Sequence, residues 1–167
     1  MAALTIWTVG HSNRPARELL ARLAAERIDV LADVRSQPYS RHNPQFGREK
    51  LKEVLAEGAF KYVYLGAELG GRPPEPEFRD GTGHVRYDLV RETERFRAGL
   101  ERLLTGAASY RVAIMCSEED PVRCHRRLLI TPALVELGVE VRHMRGDGRV
   151  TPEAELAGEP EQDALFG

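Results

Sequence analysis

Leu4–Arg35 reads LTIWTVGHSNRPARELLARLAAERIDVLADVR, and this stretch decides the fold. Leu4–Val9 is a short apolar run rich in β-branched residues, the composition of a strand. Gly10-His11-Ser12-Asn13 ends it, and Pro15 stands where the first turn of a helix tolerates proline. Leu19, Leu20 and Leu23 recur at helical spacing, which predicts a helix to about Arg27. Val30–Val34 is a second strand, closed by Asp33-Val34-Arg35.

The alternation continues outward. Ser36–Phe46 is a polar loop whose two prolines exclude a regular element. Arg48–Glu57 reads as a helix closed by Gly58, and Phe60–Leu65 as a third strand. Glu68–Gly83 is rich in Gly and Pro and long enough for a lid or binding loop. Tyr87–Leu104 carries Phe96, Leu100 and Leu103 on one face, the mark of a helix. Arg111–Met115 reads as a buried strand. Glu118-Glu119-Asp120-Pro121 then looks like a helix start, with the helix running to about Leu137 and Pro132 breaking or kinking it. Val139–His143 is the last strand. The expected fold class is α/β: a single domain over residues 1–150, with a mainly parallel sheet of about five strands and helices on both faces. An acidic, flexible C-terminal tail is expected over 151–167, with Leu165 and Phe166 able to dock on the core.

Composition narrows the class. The chain has 167 residues, 42% of them hydrophobic and 30% charged, which suits one globular domain. No apolar run approaches the roughly 18–20 residues of a membrane span. The N-terminal segment reads as a strand rather than a signal peptide, and Cys116 and Cys124 as reduced thiols in a cytoplasmic protein. The net charge of −2 hides a split. Glu153, Glu155, Glu159, Glu161 and Asp163 fall in the tail, leaving 24 basic against 21 acidic residues elsewhere. The basic residues are mostly arginine, whose planar fork suits phosphate or carboxylate.

In open sheets of this kind, ligands bind beyond the carboxyl ends of the strands. The unusual residues sit there: His11 and Ser12 after the first strand, Asp33 and Arg35 after the second, Arg72 after the third, and Cys116, Ser117 and Glu118 after the fourth. Arg41 lies in the second loop, and Cys124, His125 and Arg126 follow on the expected helix. Arg35, Arg41, Arg72, Arg126 and Ser12 are the candidate substrate-binding residues. Each has a plainer reading: Asp33 and Arg126 as salt-bridge partners, His11 as a helix cap or a carbonyl partner, Gly70-Gly71 as a turn. Their convergence carries more weight than any one of them.

Cys116 ends a strand before the expected helix N-terminus, where a thiol has a lowered pKa and acts as a nucleophile, or else packs as a small hydrophobe. Six residues separate it from Arg123, so the five-residue phosphatase loop is not matched. Cys116, Cys124, His125 and His11 would make a zinc set, but no Cys-x-x-Cys pair is present, and neighbours on a helix point apart. No metal ligand is therefore assigned. There is no dinucleotide fingerprint, P-loop or Gly-x-Ser-x-Gly elbow.

Taken in order, Gly10-His11-Ser12, Asp33-Val34-Arg35, Ser40–Phe46, Leu69-Gly70-Gly71-Arg72, and Cys116–Pro121 leading to Cys124-His125-Arg126-Arg127 resemble the bacterial and archaeal family called domain of unknown function 488. The resemblance runs from about Ile6 to Gly148. It implies an α/β domain with a shared polar site built from these motifs, and it brings no reaction with it.

The functional expectation is an enzyme acting on a phosphate-bearing or nucleic-acid-derived substrate. In it His11 or His125 serves as acid or base, Asp33 or Glu118 orients the histidine, and Cys116 is a candidate nucleophile. The alternative is a non-catalytic module that binds a nucleotide or nucleic acid with the same arginines. A third reading is a redox or metal protein using Cys116 and Cys124. Composition and motif leave the cofactor and the oligomeric state open.

Overall fold

The computed structural model describes residues 3–157. Leu165 and Phe166, with Glu159, Glu161 and Asp163, lie outside the described residues. Among those described, strands β1 (Thr5–Gly10), β2 (Val30–Asp33), β3 (Lys61–Tyr64), β4 (Val112–Cys116), β5 (Glu140–Met144) and β6 (Val150–Pro152) form one sheet in the order β3-β2-β4-β1-β5-β6. Every pairing is parallel except β5 with β6. The fold is α/β, as expected, with a short sixth strand added at one edge.

Period-two alternation sends side chains to two separate cores. Trp7, Leu31 and Met115 face the side covered by helices α1 (Ala16–Ala25) and α2 (Arg48–Glu57), through Leu19, Leu23, Leu51 and Leu55. Ile6, Ala32 and Ile114 face the opposite side, with Phe96, Leu103, Leu129 and Leu134. Those residues come from α5 (Glu94–Ser109) and from the segment that includes α6 (Thr131–Glu136). Shorter helices are α3 (Gly66–Leu69), α4 (Tyr87–Val90) and α7 (Glu153–Leu156). No helix among the described residues is long and apolar enough to cross a membrane.

The helix expected over Tyr87–Leu104 is interrupted. Thr93 stands between α4 and α5, and its hydroxyl caps α5 by accepting from the Phe96 N–H at 3.1 Å. A second correction bears on the site. Residues 117–124 form no helix. Asp120 closes a turn, accepting from Val122 N–H at 3.0 Å, and helical structure resumes at His125, leading through a π turn, Arg126–Ile130, into α6. Pro132 explains the irregular turn: it lacks the N–H that the Leu128 carbonyl would bond in an α-helix. The Arg91 guanidinium donates to that carbonyl instead, at 3.1 Å.

Val150–Pro152 pairs with β5, Leu156 is buried, and Glu153 bonds both Arg127 and His143. The acids of this stretch are partly partnered, which their number in sequence conceals.

Topology positions the site. The crossovers β1–α1–β2 and β2–α2–β3 run one way along the sheet on one face. Those to β4 and β5 return the other way on the opposite face, as right-handed connections require. Strand β4 therefore lies between β1 and β2, whose outgoing chains leave on the other side. A crevice opens at its carboxyl end.

Candidate functional site

That crevice is a pocket of about 240 Å³. It is lined by His11 from the end of β1, Arg35 and the following loop from β2, and Cys116, Ser117 and Glu118 from β4. Arg72, Cys124 and His125 complete the set expected from sequence. Asp33, Ser12, Arg41 and Arg126 do not line it. Arg123, Tyr87, Ser36, Gln37, Tyr39 and Ser40 line it without having been singled out beforehand. Arg123 was weighed only as part of a phosphatase pattern, and loop residues carry no periodic signal.

One wall is a fixed chain of polar groups. Asp33 is fully buried and receives the Arg35 guanidinium in two bonds of 2.9 and 2.8 Å, and Tyr62 O–H at 2.6 Å. Arg35 Nη1 in turn reaches His11 Nε2 at 3.3 Å. His11 Nδ1 lies 2.7 Å from the Ser12 carbonyl. A carbonyl only accepts and a guanidinium only donates, so Nδ1 carries the hydrogen and Nε2 is bare. Burial pulls His11 down from its ordinary 6.5 to about 4, and the Arg35 charge adds to this against the Ser12 bond. The ring also stacks on Phe46, with centroids 4.3 Å apart. Asp33 thus orients His11 through Arg35, without touching it. Ser12, which completes the turn, sits at φ 53°, a conformation rare for a side-chain-bearing residue.

The floor is made of sulfur and imidazole. Cys116 and Cys124 are buried with their sulfurs in contact, while their Cα atoms are 7.8 Å apart. The structure pairs the two sulfurs as a disulfide rather than as the separate reduced thiols expected. The Cα separation lies beyond the roughly 4.4–6.8 Å such bridges usually span, and on reduction the pair becomes two facing thiols. His125 Nδ1 lies 3.9 Å from Cys124 Sγ, and its Nε2 donates to the Val34 carbonyl at 2.9 Å. Burial lowers the His125 pKa to about 4, helped by the Arg126 and Arg72 charges and opposed by the Val34 bond. Gly71 closes over this ring: a Cβ there would stand 2.6 Å from the Cβ and Cγ of His125. The glycine pair is therefore more than a turn.

Arg126, expected at the anion, is fully buried behind the floor. Its Nη1 donates to the Glu118 carbonyl and, at 3.0 Å, to Cys116 Sγ. Nη2 donates to the Glu119 carbonyl at 2.9 Å and Nε to Thr8 Oγ1 at 3.1 Å. Burial lowers its pKa to about 10, which leaves it a cation at neutral pH. These bonds hold residues 117–124 in their non-helical path. They also set the guanidinium charge beside the Cys116 sulfur. Behind Arg126 a further chain was not legible from sequence: Thr8 Oγ1 bonds His143 Nδ1 at 2.7 Å, and His143 Nε2 bonds Glu153 at 2.7 Å. Burial lowers the His143 pKa.

Fold and pocket together define a mainly parallel α/β domain with a thiol–imidazole floor and arginines around it. The family model described as "Domain of unknown function DUF488" matches residues 15–131, and the chain belongs to that family. The match takes in Asp33, Arg35, Arg72, Cys116 and Cys124-His125-Arg126, and begins after Gly10-His11-Ser12. No curated protein matches the chain.

Proposed function

We propose that this protein is an enzyme whose pocket takes a small phosphate-bearing or nucleic-acid-derived anion and presents its reacting atom to the Cys116, Cys124 and His125 cluster. The observation that carries this reading is the pairing, in one pocket, of three lining arginines with a buried thiol–imidazole floor. With Arg35 balanced by Asp33, Arg72 and Arg123 still outnumber the one lining acid, Glu118, so the potential there favours a negative ligand. Arg72 is exposed on a loop tied to the β2 loop, its backbone N–H donating to Ser36 Oγ at 3.0 Å. It is the residue best placed to meet the anion. Arg126 acts from behind as a positioning residue.

A module that only recognised an anion would have no use for two facing sulfurs and a neutral imidazole at the bottom of its pocket. That favours the enzyme over the binding module. The test is a thermal-shift series with inorganic phosphate, nucleotides, sugar phosphates and short oligonucleotides. A ligand at a hundredfold excess over its Kd stabilises by about 2.7 kcal/mol. The expected result is a shift with at least one phosphate ligand that Arg72→Ala removes. If no anion raises the midpoint, the reading fails.

A further inference from the structure

We infer that Cys116 Sγ, Cys124 Sγ and His125 Nδ1 form a three-ligand site for a divalent cation of the zinc class, with its fourth position open to the pocket. This goes beyond the anion-binding reading and does not rest on it.

The three donor atoms lie within 4.8 Å of one another, the separation that ligands of a single ion require. They converge because residues 117–124 are a loop that carries Cys124 back to Cys116. The objection that Cys124 and His125 would point apart applies to two residues inside a helix, whereas Cys124 precedes the helical residues that begin at His125. Their sulfur and Nδ1 are 3.9 Å apart.

The histidine is already set as a ligand. Its Nε2 faces the Val34 carbonyl, which only accepts, so the hydrogen sits on Nε2 and Nδ1 offers a bare lone pair toward the sulfurs. A carbonyl behind the far nitrogen is the usual outer partner of a metal-bound histidine, and it fixes both tautomer and ring angle. A thiol hydrogen bond from Cys124 to Nδ1 would account for that pair alone. It gives no reason for Cys116 to face them both.

The sulfurs have an outer partner too. Arg126 Nη1 lies 3.0 Å from Cys116 Sγ and 3.8 Å from Cys124 Sγ. A guanidinium in that place is an outer partner for sulfur ligands. Each thiol that enters as S–H gives its proton to solvent as the metal–sulfur bond forms, and no electrons are transferred. Two thiolates and one imidazole suit zinc over the hard cations magnesium and calcium. His11 is not the fourth ligand, because its Nε2 is taken by Arg35. Three protein ligands with one open position is the pattern of catalytic rather than structural zinc.

The test uses the full, untagged chain, reduced and stripped with a chelator. Zinc is added and the bound metal counted; cobalt is added separately and its absorption recorded. One zinc per chain and a thiolate-to-cobalt charge-transfer band are expected. Cys116→Ser and Cys124→Ser should each weaken binding by more than the roughly 10–100-fold that loss of an outer-shell partner costs. His84→Ala, on an exposed loop, should not change it. Should the serine variants fail to fold, the wild type still decides: zinc must shield both thiols from alkylation. No charge-transfer band, or equal alkylation with and without zinc, overturns the site. Zinc uptake by a wild-type chain whose midpoint no phosphate ligand raises would sustain the metal site while the anion reading falls.

Discussion

Thr8→Val isolates one hydroxyl at the centre of the sheet. Thr8 is fully buried on β1. Its oxygen accepts from Arg126 Nε at 3.1 Å and lies 2.7 Å from His143 Nδ1. His143 Nε2 meets the Glu153 carboxylate at 2.7 Å, so that nitrogen carries the hydrogen and Nδ1 takes the Thr8 proton. Valine keeps the β-branched shape and removes both bonds. An unsatisfied buried partner costs about 1–3 kcal/mol, toward the upper part when a charge is involved. Two partners are stranded here, one of them a guanidinium. Valine recovers a few tenths through strand propensity. The net loss should be about 3 kcal/mol, or roughly 6–12 °C in Tm for a chain of this size. Urea unfolding measures it, with Thr5→Val as control, since the Thr5 hydroxyl makes only an exposed contact of 3.5 Å. A loss below about 0.5 kcal/mol with an unchanged urea slope would refute the bridge.

Two further outcomes follow from the site. The His11 pKa is lowered in the folded state, so below the ordinary 6.5 the unfolded chain binds a proton that the folded one refuses until about 4. Its contribution to stability is whole above pH 6.5 and is lost as pH falls toward 4, on the order of 3 kcal/mol in all. Urea unfolding at pH 7 and pH 4.5 should show a steeper loss for wild type than for His11→Gln, and parallel losses would rule this out. Gly10→Ala should cost about 3 kcal/mol by overpacking, because its Cβ would overlap the Glu118 carbonyl and stand 2.8 Å from Arg126 Nη1. A variant as stable as wild type would mean that residues 117–125 do not pack against the end of β1 as described.

The regular elements were legible where local pattern and tertiary packing agree. Arg48–Glu57 emerges with the bounds its spacing predicts, because Leu51 and Leu55 form one buried face and Gly58 stops it. The site was half legible. Motifs at strand ends converge once the sheet is parallel, and His11, Arg35, Arg72, Cys116, Glu118 and His125 do share a pocket. The segment Glu118–Pro121 misled because acids followed by proline suit a helix start. Here the carbonyls of Glu118 and Glu119 are held sideways by a guanidinium from further along the chain. A bond from side chain to distant backbone leaves no mark in sequence. The Thr8–His143–Glu153 chain was missed for a related reason: each residue alone reads as an ordinary strand or surface residue, and only strand order brings them together.

That chain also accounts for the division of labour among the arginines. A buried guanidinium is costly unless its donors are answered, and Arg126 is answered by two carbonyls, a hydroxyl and a sulfur. In return it holds the loop so that Cys124 and His125 turn toward Cys116. Arg35 is likewise committed to Asp33 and His11. The arginines nearest the sheet thus build the pocket, and under the proposed function exposed Arg72 is the one that meets the ligand. Replacing Arg126 should therefore disturb the thiol cluster and the fold together. Replacing Arg72 should touch ligand binding alone, and the contrast between the two variants separates construction of the site from its use.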